Sequence, residues 1–240
     1  SEGAKVLEAT GQITAGGRFV ADGHDLRIID GDLELKTQGG VSLKSVVNDG
    51  QKATIDGGIG NVTVARAVGG TESAETVIRA GGDIAVQSVD DEGELLKLAA
   101  GGDVTVNGKY STVASDVDVV AGNNVRINGE VISQQGHVGI AADTGDVWLN
   151  GGITAGKNVD VTAGRDVFGD AAANIAADNG GITVAAGRDI ELKGSQQAKA
   201  VTNTAGNDLK VGGAITATEG DATLTAGNNL QADGDITASE

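Results

Sequence analysis

The sequence predicts an all-β fold, a parallel β-helix in which short strands wind around one axis in successive coils. A glycine-rich motif returns about every 21 residues, apolar and polar residues alternate after each copy, and the 240 residues contain no proline. Together these observations favour a solenoid over a β-sandwich, which needs no fixed interval, and over a propeller, whose blades take about 40 residues.

The repeated motif sets the length of one coil. It appears as "AGGDIAVQS" at 80–88, "AGGDVTVNG" at 100–108, "AGNNVRING" at 121–129, "AGRDIELKG" at 186–194 and "AGNDLKVGG" at 205–213. A period near 21 residues divides the chain into about 11 coils. Stacked about 4.8 Å apart, these coils would form a rod of about 50–55 Å. The first apolar residue after each copy forms one series, which continues toward the start of the chain: Phe19, Val41, Val62, Ile84, Val104, Val125, Val147, Val167, Ile190, Leu209 and Leu230.

The residues after each motif have the period of two that a strand requires. In "GDVTV", Val104 and Val106 point to one side, while Asp103 and Thr105 point to the other. The chain has two Phe, one Tyr and one Trp, so we expect the core to consist of Val, Ile, Leu and Ala. The lack of proline fits strands whose N–H groups all pair with a neighbouring coil.

Glycine and the Asp or Asn that follows it are expected to form the corner before each strand. Glycine would supply a positive φ, and the Asx side chain would accept a hydrogen bond from the backbone of its own turn. We therefore interpret these acidic residues as turn formers before catalytic groups. The residues assigned to this role are Gly81, Asp83, Gly101, Asp103, Gly122, Asn124, Gly187, Asp189, Gly206, Asp208, Gly227 and Asn229.

The repeat covers nearly the whole chain, so we expect one β-helical segment over 1–240. Its coils are predicted to be less regular over 1–79 and regular over 80–240. The first ten residues include no Met and lack the basic start and apolar stretch of a signal peptide. We therefore expect this chain to be a fragment of a larger or processed protein.

The net charge of −17 argues against two classes of partner. Nucleic-acid binders need a basic footprint, and an acidic surface is repelled by anionic membranes. No stretch approaches the roughly 18 apolar residues of a membrane span, so no membrane insertion is expected. Acidity of this degree favours a soluble, monomeric rod.

Strings such as "AGGDVTV", "AGNNVRI", "AGRDIEL" and "AGNDLKVGG" resemble the haemagglutinin-type repeats of filamentous haemagglutinin-like exoproteins. The resemblance is clearest over 80–240. It implies a right-handed parallel β-helix from a large bacterial adhesin or toxin carrier, exported by two-partner secretion through an outer-membrane transporter partner. The Asn-Pro motifs of the family's amino-terminal secretion domain have no counterpart in this proline-free chain, so the resemblance implies a segment of the shaft.

Two kinds of binding residue can be named. Trp148 and Tyr110 are the large rings that could contact a saccharide, and Trp148 should point outward because it follows Val147 in the alternation. Weak calcium binding is possible at the acidic run "DDEGE", and no other cofactor is expected. The residues of that run that could hold the ion are Asp90, Asp91, Glu92 and Glu94.

Loops on a rigid scaffold are common places for recognition. Three insertions between strands are the candidates: "GTESAETVIR" at 70–79, "VDDEGELLK" at 89–97 and "GDAAANIAADN" at 169–179.

The leading functional hypothesis is a non-catalytic structural and adhesive shaft, secreted or held at the bacterial cell surface. Its partner would be a receptor or polysaccharide on a host or bacterial cell. One alternative is a carbohydrate-active β-helix enzyme, although four aromatic side chains offer few sugar subsites. The other alternative is the stalk of a contact-dependent toxin-delivery protein.

Overall fold

A computed structural model describes residues 5–48, 50–69, 75–91 and 95–239. In these residues the chain forms 28 strands and no helix, and every pairing between strands is parallel. The fold is a parallel β-solenoid of about 10 turns with a period near 21 residues. This confirms the predicted all-β helix, with a number of turns close to the expected 11. No helix in the described ranges is long and apolar enough to cross a membrane.

The first coils are built from longer strands. One of them, β2, turns through three stretches: Phe19–Ala21 and Asp25–Ile28 pair with β3, and Leu33–Lys36 pairs with β4. The eight strands are β1 (Lys5–Ala15), β2 (Phe19–Thr37), β3 (Val41–Asn48), β4 (Ala53–Asp56), β5 (Val62–Gly69), β6 (Glu75–Ala80), β7 (Ile84–Asp91) and β8 (Leu95–Ala100).

From residue 104 onward each coil contains three short strands. They are β9 (Val104–Val106), β10 (Tyr110–Thr112), β11 (Asp116–Ala121), β12 (Val125–Ile127), β13 (Val131–Ser133), β14 (Val138–Ala142), β15 (Val147–Leu149), β16 (Ile153–Ala155), β17 (Val159–Ala163), β18 (Val167–Gly169), β19 (Ile175–Ala177), β20 (Ile182–Ala186), β21 (Ile190–Leu192), β22 (Gln196–Ala198), β23 (Val201–Ala205), β24 (Leu209–Val211), β25 (Ile215–Ala217), β26 (Ala222–Ala226), β27 (Leu230–Ala232) and β28 (Ile236–Ala238).

Each short strand pairs with the strand three places later in the chain, so three sheets run along the rod. Face 1 contains β9, β12, β15, β18, β21, β24 and β27. Face 2 contains β10, β13, β16, β19, β22, β25 and β28, and face 3 contains β11, β14, β17, β20, β23 and β26. The longer strands continue these faces: β7 pairs with β9 on face 1 through Ile84–Val86 and with β10 on face 2 through Val89–Asp91.

The predicted series of apolar residues is one continuous ladder inside the rod. Phe19 pairs with Val41, Val41 with Val62, and Val62 with Ile84. The later members follow in the same register as far as Leu230. The members from Val41 to Leu209 are buried, and Leu230 in the last described coil is 50% exposed. The alternation and the period therefore identified the core and the register correctly.

The motif glycines have a different role from the one predicted. Positive φ occurs among described glycines at Gly11, Gly31, Gly40, Gly50 and Gly58, and at none of the motif glycines. They stack on one another instead, and a Cβ at these positions would overlap the carbonyl oxygen of the glycine one coil earlier. Glycine is required because backbones approach closely. The glycines concerned are Gly81, Gly101, Gly122, Gly187, Gly206 and Gly227.

The Asp and Asn side chains of the motif accept hydrogen bonds from the backbone of the next coil. The prediction that they bind the backbone of their own turn is therefore wrong. Asp103 accepts a hydrogen bond through Oδ1 from the backbone N–H of Asn124, at 3.0 Å. The N–H of Asp103 in turn donates to Oδ1 of Asp83, at 2.9 Å. The ladder passes through Asn61, Asp83, Asp103, Asn124, Asp146, Asp166, Asp189, Asp208 and Asn229.

The three predicted loops contain more strand than expected. In 70–79, residues from Glu75 onward form β6, and 70–74 lie outside the described residues. In 89–97, β7 extends to Asp91 and β8 begins at Leu95. In 169–179, Ile175–Ala177 forms β19 with a buried–partly exposed–buried pattern. These segments belong to the coils because their apolar residues continue the inner ladders.

Candidate ligand-binding surface

The outer surface of face 1 carries a row of side chains that are aligned coil by coil. The central residues of successive strands are paired in register, and each lies between two inward residues. In chain order the row is Thr105, Arg126, Trp148, Phe168, Glu191 and Lys210. We call Arg126, Trp148 and Phe168 the aromatic row.

The two rings of the aromatic row are stacked. The ring centroids of Trp148 and Phe168 are 6.1 Å apart, and the ring planes differ by 19°. Both side chains are partly exposed, whereas Val147 and Leu149 on either side of Trp148 are buried. The predicted outward orientation of Trp148 is therefore correct, and half of the aromatic residues of the chain lie together.

Arg126 covers one end of this pair. Its guanidinium carbon lies 4.4 Å from the centroid of the Trp148 ring, a distance at which a cation is attracted to the ring face. Arg126, Trp148, Thr105, Asp103 and Asn124 line a shallow depression of about 100 Å³. The depression offers an aromatic ring, amide and hydroxyl groups, and one charge of each sign.

An asparagine ladder borders face 1 where its strands end. Nδ2 of Asn128 donates to Oδ1 of Asn107 at 2.9 Å, and Nδ2 of Asn150 donates to Oδ1 of Asn128 at 2.8 Å. Asn107 and Asn128 are exposed. Amide groups of this kind can donate to and accept from the hydroxyls of a ligand.

Two arginine–aspartate pairs border the same face where its strands begin. Nε of Arg165 donates to Oδ1 of Asp146 at 2.9 Å, and a second N–H of the same guanidinium binds Oδ2. Arg188 binds Asp166 in the same bidentate way. The hydrogen bond from Arg188 is the largest cause that lowers the pKa of Asp166, and the same bond raises the pKa of Arg188. The two carboxylates are buried, so each pair fixes one coil to the next.

This arrangement is suited to binding a sugar chain. Arg126 covers one face of the Trp148 ring and Phe168 the other, so a sugar on this surface would meet the outward ring edges, with polar groups beside them to bind its hydroxyls. The rings, the amide ladder and the guanidinium groups come from separate coils that are held in register by the backbone.

The prediction that Tyr110 contacts a ligand at the surface is wrong. Its side chain is fully buried, because residue 110 occupies an inward position of face 2 between Val89 and Val131. The period contains this information, since both neighbours are apolar and lie 21 residues away. Phe168 and Arg126 were missed as partners of Trp148, and the same spacing could have identified them.

The calcium prediction stays a prediction. Asp90 and Asp91 are the last residues of β7, and Glu92 and Glu94 lie outside the described residues. Among the residues that the structure describes, no group of three or more His, Asp or Glu side chains is placed to hold a metal ion.

Comparison of the chain with protein-family models, with curated proteins and with solved structures finds no match in any of the three.

Proposed function

We propose that this chain is a structural and adhesive shaft segment of a large secreted bacterial surface protein of the filamentous haemagglutinin-like kind. Its role is to hold other regions at a distance from the cell and to contact a polysaccharide or receptor through its own side. This role requires stiffness and a binding surface but no catalysis.

The stiffness is supported by the way the coils are joined. Backbone pairing, the inner apolar ladder and the Asx ladder all connect each coil to the next. The stacked glycines leave no room for side chains between coils. Bending the rod would break several of these interactions at once, so the fold favours a straight, extended spacer.

The adhesive part of the proposal depends mainly on one observation, the stacked pair of Trp148 and Phe168 on the outside of face 1. A contiguous exposed apolar patch often marks an interaction site, and aromatic side chains are favoured at such sites. In a chain with 2% aromatic residues, two such rings in consecutive coils favour a contact surface for sugar rings.

Binding of the folded 240-residue chain to bacterial cells, host cells and a panel of surface polysaccharides tests this function. We expect saturable binding that is lost in the double variant Trp148→Ala, Phe168→Ala. Trp148→Tyr should retain much of the binding, because it keeps a ring in the row. Ile59→Ala is the matched control, since Ile59 is 88% exposed and lies outside the row.

Circular dichroism on each variant establishes that the β-helix is intact before binding is compared. Equal binding by the double variant and by wild type would contradict the role of the aromatic row. If wild type binds to none of the surfaces, the adhesive part of the proposal is wrong and the rod is a spacer or stalk.

A further inference from the structure

A groove on face 2 of the first coils has a chemistry that the aromatic row does not share. It has a volume of about 570 Å³ and crosses the neighbouring strands β1, β2, β3 and β5. Val47 and Val68 form part of its apolar floor. Arg27, Lys44 and Arg66 stand around it.

The cationic surface continues along the rod beyond this groove. Arg66 also lines a second depression of about 160 Å³, together with Ser88, Lys109 and Ser111. Arg66 pairs with Ser88 in the next coil. Lys109 lies one coil beyond Ser88, where its backbone carbonyl accepts a hydrogen bond from the N–H of Val89. Lys44, Arg66 and Lys109 therefore stand along one face, with the coil of Ser88 between Arg66 and Lys109, and we call these three residues the cationic track.

Among the residues that the structure describes, few carboxylates lie beside the positive charges of the groove. Asp25 is the one that lines the groove, and it is already engaged by Ser45 Oγ at 2.6 Å and by Lys44 Nζ at 3.1 Å. The hydrogen bond from Ser45, followed by that from Lys44, lowers the pKa of Asp25. Within the described residues, Arg66 and Lys109 form no hydrogen bond or ion pair through their side chains and are exposed.

The backbone register also places two acidic positions on this face. Asp90 is paired with Val68 and with Ser111, on the coil between Arg66 and Lys109, and the backbone carbonyl of Glu130 accepts a hydrogen bond from Tyr110 one coil beyond Lys109. The cationic track is a local group of three positive charges on a chain whose net charge is −17. Such a group concentrates anionic ligands locally, while the rest of the surface repels them.

The spacing of the track indicates a linear ligand. Arg66 and Lys109 are two coils apart, which corresponds to about 10 Å along the axis. The apolar strip of Val47 and Val68 runs beside the charges, and Ser45, Ser88 and Ser111 supply hydroxyls between them. An extended chain with apolar ring faces, hydroxyls and repeated anionic groups would match all three features.

We propose that the cationic track binds an acidic polysaccharide, a chain of sugar rings that bear carboxylates and lie along the axis of the rod. Lys44, Arg66 and Lys109 bind the carboxylates, and the valines contact the apolar faces of the rings. Nucleic acid is disfavoured, because its single strands are held by stacking on aromatic side chains and this surface contains none among the described residues. The site is separate from the aromatic row and does not depend on it.

Binding of the full chain to polygalacturonate, measured by isothermal titration calorimetry at low and at moderate salt, tests the proposal. We expect measurable binding that weakens as salt rises, because exposed charges are screened. Fully methyl-esterified polygalacturonate has the same sugar chain without the charges, and we expect it to bind at least about tenfold more weakly.

Paired variants locate the site. Arg66→Glu with Lys109→Glu should weaken binding of polygalacturonate by about tenfold or more. Lys157→Glu with Lys210→Glu changes the net charge equally at two other exposed lysines and should have a much smaller effect. The double variant Trp148→Ala, Phe168→Ala should bind as wild type does, which separates this site from the proposed adhesive surface.

Three results would overturn the proposal. They are the lack of binding to polygalacturonate by the folded chain, equal weakening by the two double charge variants, and retained binding to the esterified polymer. Tighter binding of single-stranded DNA, lost in the Arg66→Glu, Lys109→Glu variant, would show that the track serves a nucleic acid instead.

Discussion

The guanidinium of Arg188 binds the carboxylate of Asp166 in the preceding coil, with 2.8 Å between Nε and Oδ1. The backbone N–H of Asp189 donates to the same oxygen at 3.0 Å. Asp166 is 2% exposed, and the Arg188 side chain is 57% exposed. In the motif "AGRD", the Arg and the Asp of one copy therefore both bind the Asp of the copy before it.

Asp166→Asn tests this connection through pH. The pKa of Asp166 is lowered in the fold from an ordinary value of 3.8, so its charged form stabilises the protein above that pH. This stabilisation is lost as the pH falls through the lower, folded value. We expect the variant to be less stable by about 1–3 kcal/mol at pH 7, with a smaller difference from wild type at pH 3.

Urea unfolding at both pH values measures the effect. Asp160→Asn is the control, because Asp160 is an exposed strand residue on face 3. A difference between Asp166→Asn and wild type that is the same at pH 7 and pH 3 would exclude the charge of Asp166 as its cause.

Gly122→Ala tests the glycine stack. A Cβ at Gly122 would overlap the carbonyl oxygen of Gly101, whereas a Cβ at Gly139 would have its nearest neighbours at 3.8 Å. We expect Gly122→Ala to destabilise the rod by about 1–3 kcal/mol and Gly139→Ala to be neutral or slightly stabilising. Thermal unfolding followed by circular dichroism compares them, and equal melting temperatures would contradict a steric role for the stack.

Val125→Asp tests the register of the inner ladder. Val125 is fully buried between Val104 and Val147, so an unpaired carboxylate there should cost about 4 kcal/mol or more. Arg126→Asp changes the next residue, which points outward, and should cost only the contact with Trp148, about 0.5–1 kcal/mol. Urea unfolding of both variants checks the contrast, and similar losses at the two positions would be inconsistent with this register.

A buried amide pair interrupts the apolar core. Gln196 and Asn203 donate to each other at 3.1 and 2.7 Å, and both side chains are buried. Gln196 lies between Ile175 and Ile215 in its ladder. Asn203 lies between Val184 and Leu224. The pair is therefore a polar substitution at two positions that are otherwise apolar.

A double-mutant cycle separates the two sides of this pair. Gln196→Ile or Asn203→Val alone leaves one buried amide without its partner, and should cost about 1–3 kcal/mol. The double variant restores an apolar ladder and should be close to wild type or more stable. Unfolding free energies of the four proteins measure the coupling, and additive losses would show that the two amides do not act as a pair.

Most of the fold could be predicted from the sequence, because the two periods in the sequence correspond directly to the geometry of a strand and of a coil. A period of two determines which residues of a strand face the core, and a period near 21 determines which residues of successive coils meet. The ladder from Phe19 to Leu230 follows from these two numbers alone. The outward orientation of Trp148 and the interior position of residues such as Val125 follow in the same way.

The sequence did not determine contacts between coils. Reading a turn locally assigns glycine to positive φ and Asx to its own backbone, whereas in the fold Gly122 packs on Gly101 and Asp103 binds Asn124. Tyr110 was predicted to lie at the surface because an aromatic ring can bind a saccharide, whereas its position in the 21-residue period places it inside. Only the stacking of coils placed Trp148 on Phe168 and brought Lys44, Arg66 and Lys109 onto one face. The physical reason is that each contact joins residues about one or two coils apart, and the coil length varies from 19 to 23 residues.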